Sequence, residues 1–310
     1  MSDRAFYCAA NEAYFPGAVA LVNSLRRAGH AEPIHLLDCG LDPAHRELLA
    51  GEATLIAAES ETPPYLLKTI APLARPARTM VLIDTDMIVL RSLDPVIEAS
   101  AGGGVAAFRN VTDRFVAEWG ELLDLGPLRR RPYVSSGFVA ADGEPGRELL
   151  ELWDDRQRRV DFRRSWHADD DPGYQFRFID QDVLNAVIAA TIPAERLTAL
   201  EARLAPTPPF GGLRERGPRR ELGYADGARP YLLHHFEHKP WLARVRTNPY
   251  SRLLAELLLD GEGPLRVDPA ELPLRLRRGV AAALDRTATD LALLPPGALR
   301  RLRERAGRAT

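Results

Sequence analysis

An apolar run ends in two aspartates two residues apart, Val81-Leu-Ile-Asp84-Thr-Asp86. Carboxylates so spaced at the end of a strand can both turn toward one cation, and hard divalent ions use such oxygens while holding substrate phosphates. The same spacing also suits a solvated turn or a helix cap; the strand in front favours the metal. A second cluster lies far downstream, in Leu232-Leu-His234-His235-Phe-Glu-His238-Lys239-Pro-Trp241, where three of seven histidines fall within five residues. Imidazole is a good third ligand for an ion such as manganese, and an ammonium beside it would neutralise a departing diphosphate. In Phe178-Ile-Asp180-Gln181-Asp182, Asp180 is either an N-cap or, with Gln181, a partner for sugar hydroxyls, and the residues alone leave both readings open. The opening, Tyr7-Cys-Ala-Ala-Asn11-Glu-Ala-Tyr14, offers an amide and an aromatic face to a base, or simply a strand-to-helix turn.

Of 41 lysines and arginines only Lys68 and Lys239 are lysine. A chain that uses arginine for its other positive charges retains lysine where a compact ammonium is needed and a forked guanidinium would not fit.

The elements that must position these groups alternate. Ala5 to Ala10, Pro33 to Asp38, Thr54 to Ala58 and Thr79 to Asp84 read as strands. Gly17 to Ala28, a segment opened by Asp42-Pro43, and Leu66 to Leu73 read as helices. Such alternation predicts a mostly parallel sheet covered on both faces. Ligands of such sheets bind at the carboxyl ends of strands, where Asp84 is placed. Two more strands, Gly102 to Arg109 and Tyr133 to Ala140, are followed by helices over 147–159 and 181–190. A polar loop over 161–178 lies between these helices, and an exposed loop runs from Pro206 to Arg220. The last sixty residues read as helices separated by prolines.

At 310 residues, roughly three quarters of the unfolded surface can be buried. A formal net charge of -2 carries no field that would call for nucleic acid. No apolar run reaches the length of a membrane span, and the start lacks the features of a signal peptide. Cys8 and Cys39 make neither a disulfide framework nor a metal spacing. The expectation is a soluble, cytoplasmic protein.

As an ordered set these blocks resemble the retaining glycosyltransferases of family 8, the glycogenin and lipopolysaccharide galactosyltransferase group. The order is Asn11 and Tyr14, Lys68, Asp84-Thr-Asp86, Ser135-Ser-Gly137, Asp180-Gln181, then His and Lys239-Pro-Trp241. The resemblance spans residues 5 to about 245. It implies the α/β GT-A fold, with a Rossmann-like, mostly parallel sheet flanked by helices. On that basis residues 1–250 would form the catalytic domain and 251–310 a helical C-terminal extension. It further implies hexose transfer from a UDP-sugar with Mn2+ or Mg2+. Asn11 and Tyr14 would bind uracil, Lys68 and Ser135 the donor, and Lys239 the diphosphate. Asp84, Asp86 and a histidine would hold the metal, with Asp84 also facing the donor, and Asp180 and Gln181 would lie by the anomeric carbon. The family usually has asparagine where Ser135 stands. It also has a glycine and six positions between its histidine and lysine, whereas His235 precedes Lys239 by four. His234 and His235 point to opposite faces if the segment is a strand, and His235, followed by Phe as in the family, is the expected ligand.

Other functions compete. Phosphatases of the haloacid dehalogenase type carry a similar two-aspartate strand near the chain start, but here some eighty residues precede it and Ile88 replaces the usual threonine or valine. A nucleotidyltransferase would carry a glycine-rich loop where Ala9-Ala-Asn-Glu stands; a nucleotide-sugar hydrolase and a non-catalytic binder remain as alternatives. The acceptor would be a carbohydrate, lipid-linked or small molecule, with Trp166 and Tyr174 able to stack on sugar rings. The basic tail from Ala298 to Arg308, with Leu274 to Leu284, would permit peripheral contact with an anionic inner-membrane surface.

Overall fold

The computed structural model describes residues 3–58, 62–217, 221–260 and 263–294, so the basic tail lies outside the described residues. The chain opens with β1 (Arg4–Ala10), α1 (Phe15–Arg27), β2 (Ile34–Asp38), α2 (Pro43–Ala50) and β3 (Thr54–Ala57), the alternation expected. After α3 (Ile70–Ala74) come β4 (Thr79–Ile83), β5 (Met87–Val89), α4 (Asp94–Glu98), β6 (Val105–Arg109), α5 (Trp119–Leu122) and β7 (Val134–Asp142). Then follow α6 (Gly143–Gln157), α7 (Ile179–Thr191), β8 (Leu197–Leu200), the hairpin of β9 (Arg214–Arg216) and β10 (Glu221–Gly223), and β11 (Leu232–His234). Two helices, α8 (Pro249–Leu259) and α9 (Val280–Ala292), end the described chain.

Seven strands form one sheet in the order β3-β2-β1-β4-β7-β6-β8, in which only β7 runs against its neighbours. Because strand side chains alternate, β4 feeds two cores at once. Val81 and Ile83 join α1 and α8 on one face; Met80 and Leu82 join α6 and α7 on the other. Burial on both faces is why residues 80–83 are an unbroken apolar run.

Several boundaries differ from the sequence reading. No single helix spans 66–73: a 3-10 turn over Pro64–Leu66 gives way to α3. Pro72 has no N–H to give and therefore sits in the first turn of a helix starting at Ile70. β9 lies within the stretch expected to be a loop and pairs with β10 just beyond it. The run Val81 to Leu90 is broken at Asp84-Thr85-Asp86, and the part beyond it, β5, leaves the main sheet to pair with β11.

The segment beyond residue 250 shares the core of the sheet. Asn23, fully buried on α1, donates to the carbonyls of Leu257 and Leu265 at 2.8 Å each and accepts from Leu265 N at 3.0 Å. Gly263 makes this possible, since a Cβ there would come within 2.3 Å of the Asn23 side chain. No helix among the described residues is long and apolar enough to cross a membrane.

Candidate active site

β4 ends inside a cavity of about 920 Å³. The chain turns there because Asp84 O accepts from Met87 N at 3.1 Å, while Asp84 N is held by Gly137 O of β7 at 2.9 Å. Thr85, the middle of the turn, lies against α1 at Gly17, where a Cβ would come within 2.4 Å of the Thr85 carbonyl and 2.9 Å of Trp241. Asp84 and Asp86 therefore face the cavity together. β11 supplies the third group: its register sets His234 opposite Met87, next to Asp86.

Ligand atoms of Asp84, Asp86 and His234 all lie within 4.8 Å of one another. His234 Nε2 is 3.2 Å from Asp86 Oδ1, a buried oxygen with no hydrogen-bond partner. A buried, unsatisfied carboxylate oxygen facing an imidazole nitrogen suits a cation between them. Gly137 keeps the space open, since a Cβ there would come within 2.9 Å of His234 Cε1 and 3.1 Å of Asp84 Oδ2. The residues thus fit a divalent ion.

Both lysines reach this cluster. Lys68 Nζ sits 2.9 Å from Asp84 Oδ1 and 2.9 Å from Asp180 Oδ2. Lys239 Nζ pairs with Asp86 and donates to His235 O at 2.8 Å. Three carboxylates, Asp86 and Asp180 buried and Asp84 partly so, against two buried ammoniums leave a negative balance that a cation would offset. Burial pushes Asp84 upward, with Asp86 adding to the shift and Lys68 opposing it. For Asp86, burial is outweighed by Lys239 and His234, which hold it well below the usual carboxylate range.

Asp180 and Gln181 lie in the first turn of α7, which starts at Ile179, so Asp180 is not the N-cap. Asp182 serves that end instead, accepting from Phe178 N at 2.9 Å. Ser136 donates to Asp180 at 2.7 Å, and burial there is outweighed by Lys68, so the group stays below its ordinary value. Gln181 Oε1 accepts from Asn110 Nδ2 at 3.2 Å and from Ser136 N at 3.4 Å. Tyr14 lines the cavity with its ring 5.7 Å from Lys239 Nζ. Trp241 fixes that corner by donating from Nε1 to Ala13 O at 2.8 Å.

Of the sequence-derived candidates, Tyr14, Lys68, Asp84, Asp86, Ser135, Asp180, Gln181 and Lys239 line this cavity. His235 does not, and His234 takes the place expected of it. Strand alternation turns His235 away into a pocket of Phe210 and Tyr250, with ring centroids at 5.9 and 5.0 Å. Burial, then Lys239, pushes its imidazole down to about 4. Asn11 lies outside the cavity lining, its Oδ1 buried and without a partner. Tyr174 is a buried anchor whose hydroxyl accepts from Asp161 N at 2.8 Å, whereas Trp166 does line the cavity. Sequence reasoning missed Asn110, which carries no spacing signal, and Tyr65, whose hydroxyl burial and the charge of Asp180 push up to about 12.

Comparison with family models and with curated proteins gives no match. Solved structures do match. An active-site glutamine-to-glutamate mutant of LgtC shares 15% identity at a TM-score of 0.56, over 86% of this chain and 98% of that one. The galactosyltransferase LgtC in complex with donor and acceptor sugar analogues shares 18% at 0.55, again over 86% and 98%. The bifunctional glycosyltransferase WbbM shares 16% at 0.52, over 85% of this chain and 50% of that one. The chain has the GT-A fold of these glycosyltransferases.

Proposed function

We propose that this protein is a metal-dependent glycosyltransferase that moves a hexose from a UDP-sugar to an acceptor hydroxyl with retention at the anomeric carbon. The observation that carries the reading is the convergence of Asp84, Asp86 and His234 with both lysines at the end of β4. The LgtC complex with donor and acceptor sugar analogues, on the same fold, supports it.

Asp84, Asp86 and His234 would hold Mn2+ or Mg2+, which when bound supplies positive charge to the two phosphates. Lys239 exchanges its contact with Asp86 for the diphosphate, stabilising the leaving group as the anomeric C–O bond breaks. Tyr14 offers its ring to the base beside that lysine. Asp180, held ionised by Lys68 and Ser136, would stabilise positive charge developing on the sugar. Gln181, oriented by Asn110, and Ser135 border the same space and would contact the transferred sugar. Trp166 and Phe236, ring centroids 6.1 Å apart at the cavity edge, give the acceptor an apolar wall. Asn11 reaches uracil only if its side chain leaves its present pocket.

Release of UDP from a UDP-hexose, present with Mn2+ and absent with EDTA, tests the reading. A nucleotide-sugar hydrolase would release UDP at a rate that no acceptor increases. The exposed Val280, Leu284 and Leu291 on α9 are proposed to rest on an anionic membrane surface. Pelleting with phosphatidylglycerol vesicles should fall in Leu284→Glu, and equal pelleting of both proteins would dispose of that contact.

A further inference from the structure

A second cavity, of about 550 Å³, opens between α8 and α9. Its walls carry five arginines, Arg252, Arg275, Arg277, Arg278 and Arg286, against two acids, Glu256 and Asp260. Three of the five are fastened to backbone carbonyls, which orient a guanidinium without neutralising it. Arg275 Nε donates to Pro240 O at 2.9 Å, and Arg277 Nε to Leu272 O at 2.7 Å. Arg286 Nη1 donates to Arg275 O at 2.9 Å and to Arg277 O at 3.0 Å. The other two have acidic partners: Arg278 pairs with Asp260, and Arg252 lies 3.4 Å from Glu215.

The helix end adds to this field. Gly279, the N-cap of the thirteen-residue α9, lines the cavity at φ +97°, and no side chain caps the helix. A helix start without a side-chain cap presents N–H donors and partial positive charge, a combination that favours anions. Thr289 lines the same cavity, is 3% exposed, and its Oγ1 has no hydrogen-bond partner. Gly279, Arg286 and Thr289 fall on one face of α9, so the groove follows that helix for about 15 Å. Oriented positive donors at one end and an unsatisfied hydroxyl farther along describe a site for an elongated, anionic molecule.

We propose that this groove binds a phosphate ester, its phosphate held by the α9 N-terminus with Arg275, Arg277 and Arg286, and its polar remainder reaching Thr289. The ester is either a small soluble molecule or the headgroup of a phospholipid. Because Pro240 forms part of the wall and follows Lys239, the ligand sits behind the turn that carries the catalytic-cavity lysine.

The test is calorimetric titration of the full chain with glycerol 3-phosphate, beside flotation with phosphatidylglycerol vesicles. Thr289→Val and the double variant Arg275→Gln/Arg277→Gln should each weaken binding about tenfold, while Lys239→Ala leaves it unchanged. Thr289→Val loses a hydroxyl that has no partner, so its melting temperature without ligand should not fall; a drop in binding is then not a folding defect. Binding of glycerol 3-phosphate that follows this pattern identifies a soluble ester. Vesicle binding that follows it, with no heat from glycerol 3-phosphate, identifies a lipid headgroup. Binding that survives both groove variants, binding lost only in Lys239→Ala, or no binding of either probe overturns the proposal.

Discussion

The two adjacent histidines face different surroundings. His234 faces Asp86, and His235 faces Phe210 and Tyr250. If the metal reading holds, His234→Ala should lower Mn2+-dependent turnover about a hundredfold, the scale of a damaged metal site. His235→Ala should leave Mn2+ affinity unchanged while lowering stability by about 1–3 kcal/mol, because Asn248 Nδ2, 3.3 Å from His235 Nε2, would lose that contact and the ring pocket would empty. Titration of Mn2+ into both variants, with urea melts alongside, would separate the roles, and equal loss of metal affinity would contradict the assignment. Neither residue type nor spacing distinguishes the two histidines in the sequence. The distinction rests on the register of β11 against β5, a tertiary pairing that no local pattern encodes.

At the scale of elements, His45 clasps three segments together. From α2 it stacks on Phe15 with centroids 3.5 Å apart, and its Nδ1 and Nε2 lie 2.8 Å from Glu12 and 3.1 Å from Glu271. Only the doubly protonated ring can donate to both carboxylates. Burial alone would lower its pKa, but the two glutamates outweigh that and raise it above the ordinary 6.5. A raised folded-state pKa means this stabilisation is complete below the unfolded value and is lost as pH rises through the folded one. The melting-temperature gap between wild type and His45→Gln should therefore be widest near pH 6 and narrow by about pH 9. A gap constant across that range would contradict the clasp. The strand–helix alternation behind these elements was legible because buried strands must be apolar on both faces. What stayed hidden is the break at Thr85, because Met87 to Leu90 continues the apolar run and nothing local marks the change of partner from β7 to β11.

Across the whole molecule, the site is an agreement among distant parts. Asp84 and Asp86 come from the end of β4, Lys68 from the irregular segment before α3, Asp180 from α7, and His234 and Lys239 from beyond residue 230. Those residues stood out because charged groups beside apolar runs must be explained, and two lysines among many arginines must be too. Asn110, Tyr65 and the arginine-lined groove left no such trace. Asn110 meets Gln181 only through the fold, and arginines are too common in this chain for five of them to mark a cavity.

Metal-dependent transfer is tested most directly by UDP release from a panel of UDP-hexoses by wild type and Asp86→Asn, with Mn2+ and with EDTA. Release should be slow, confined to one or two donors, dependent on Mn2+, abolished by EDTA, faster with a suitable acceptor, and reduced by several kcal/mol of transition-state stabilisation in the variant. Undiminished release with EDTA, equal rates for the variant, or no release from any donor together with no binding of UDP would contradict it.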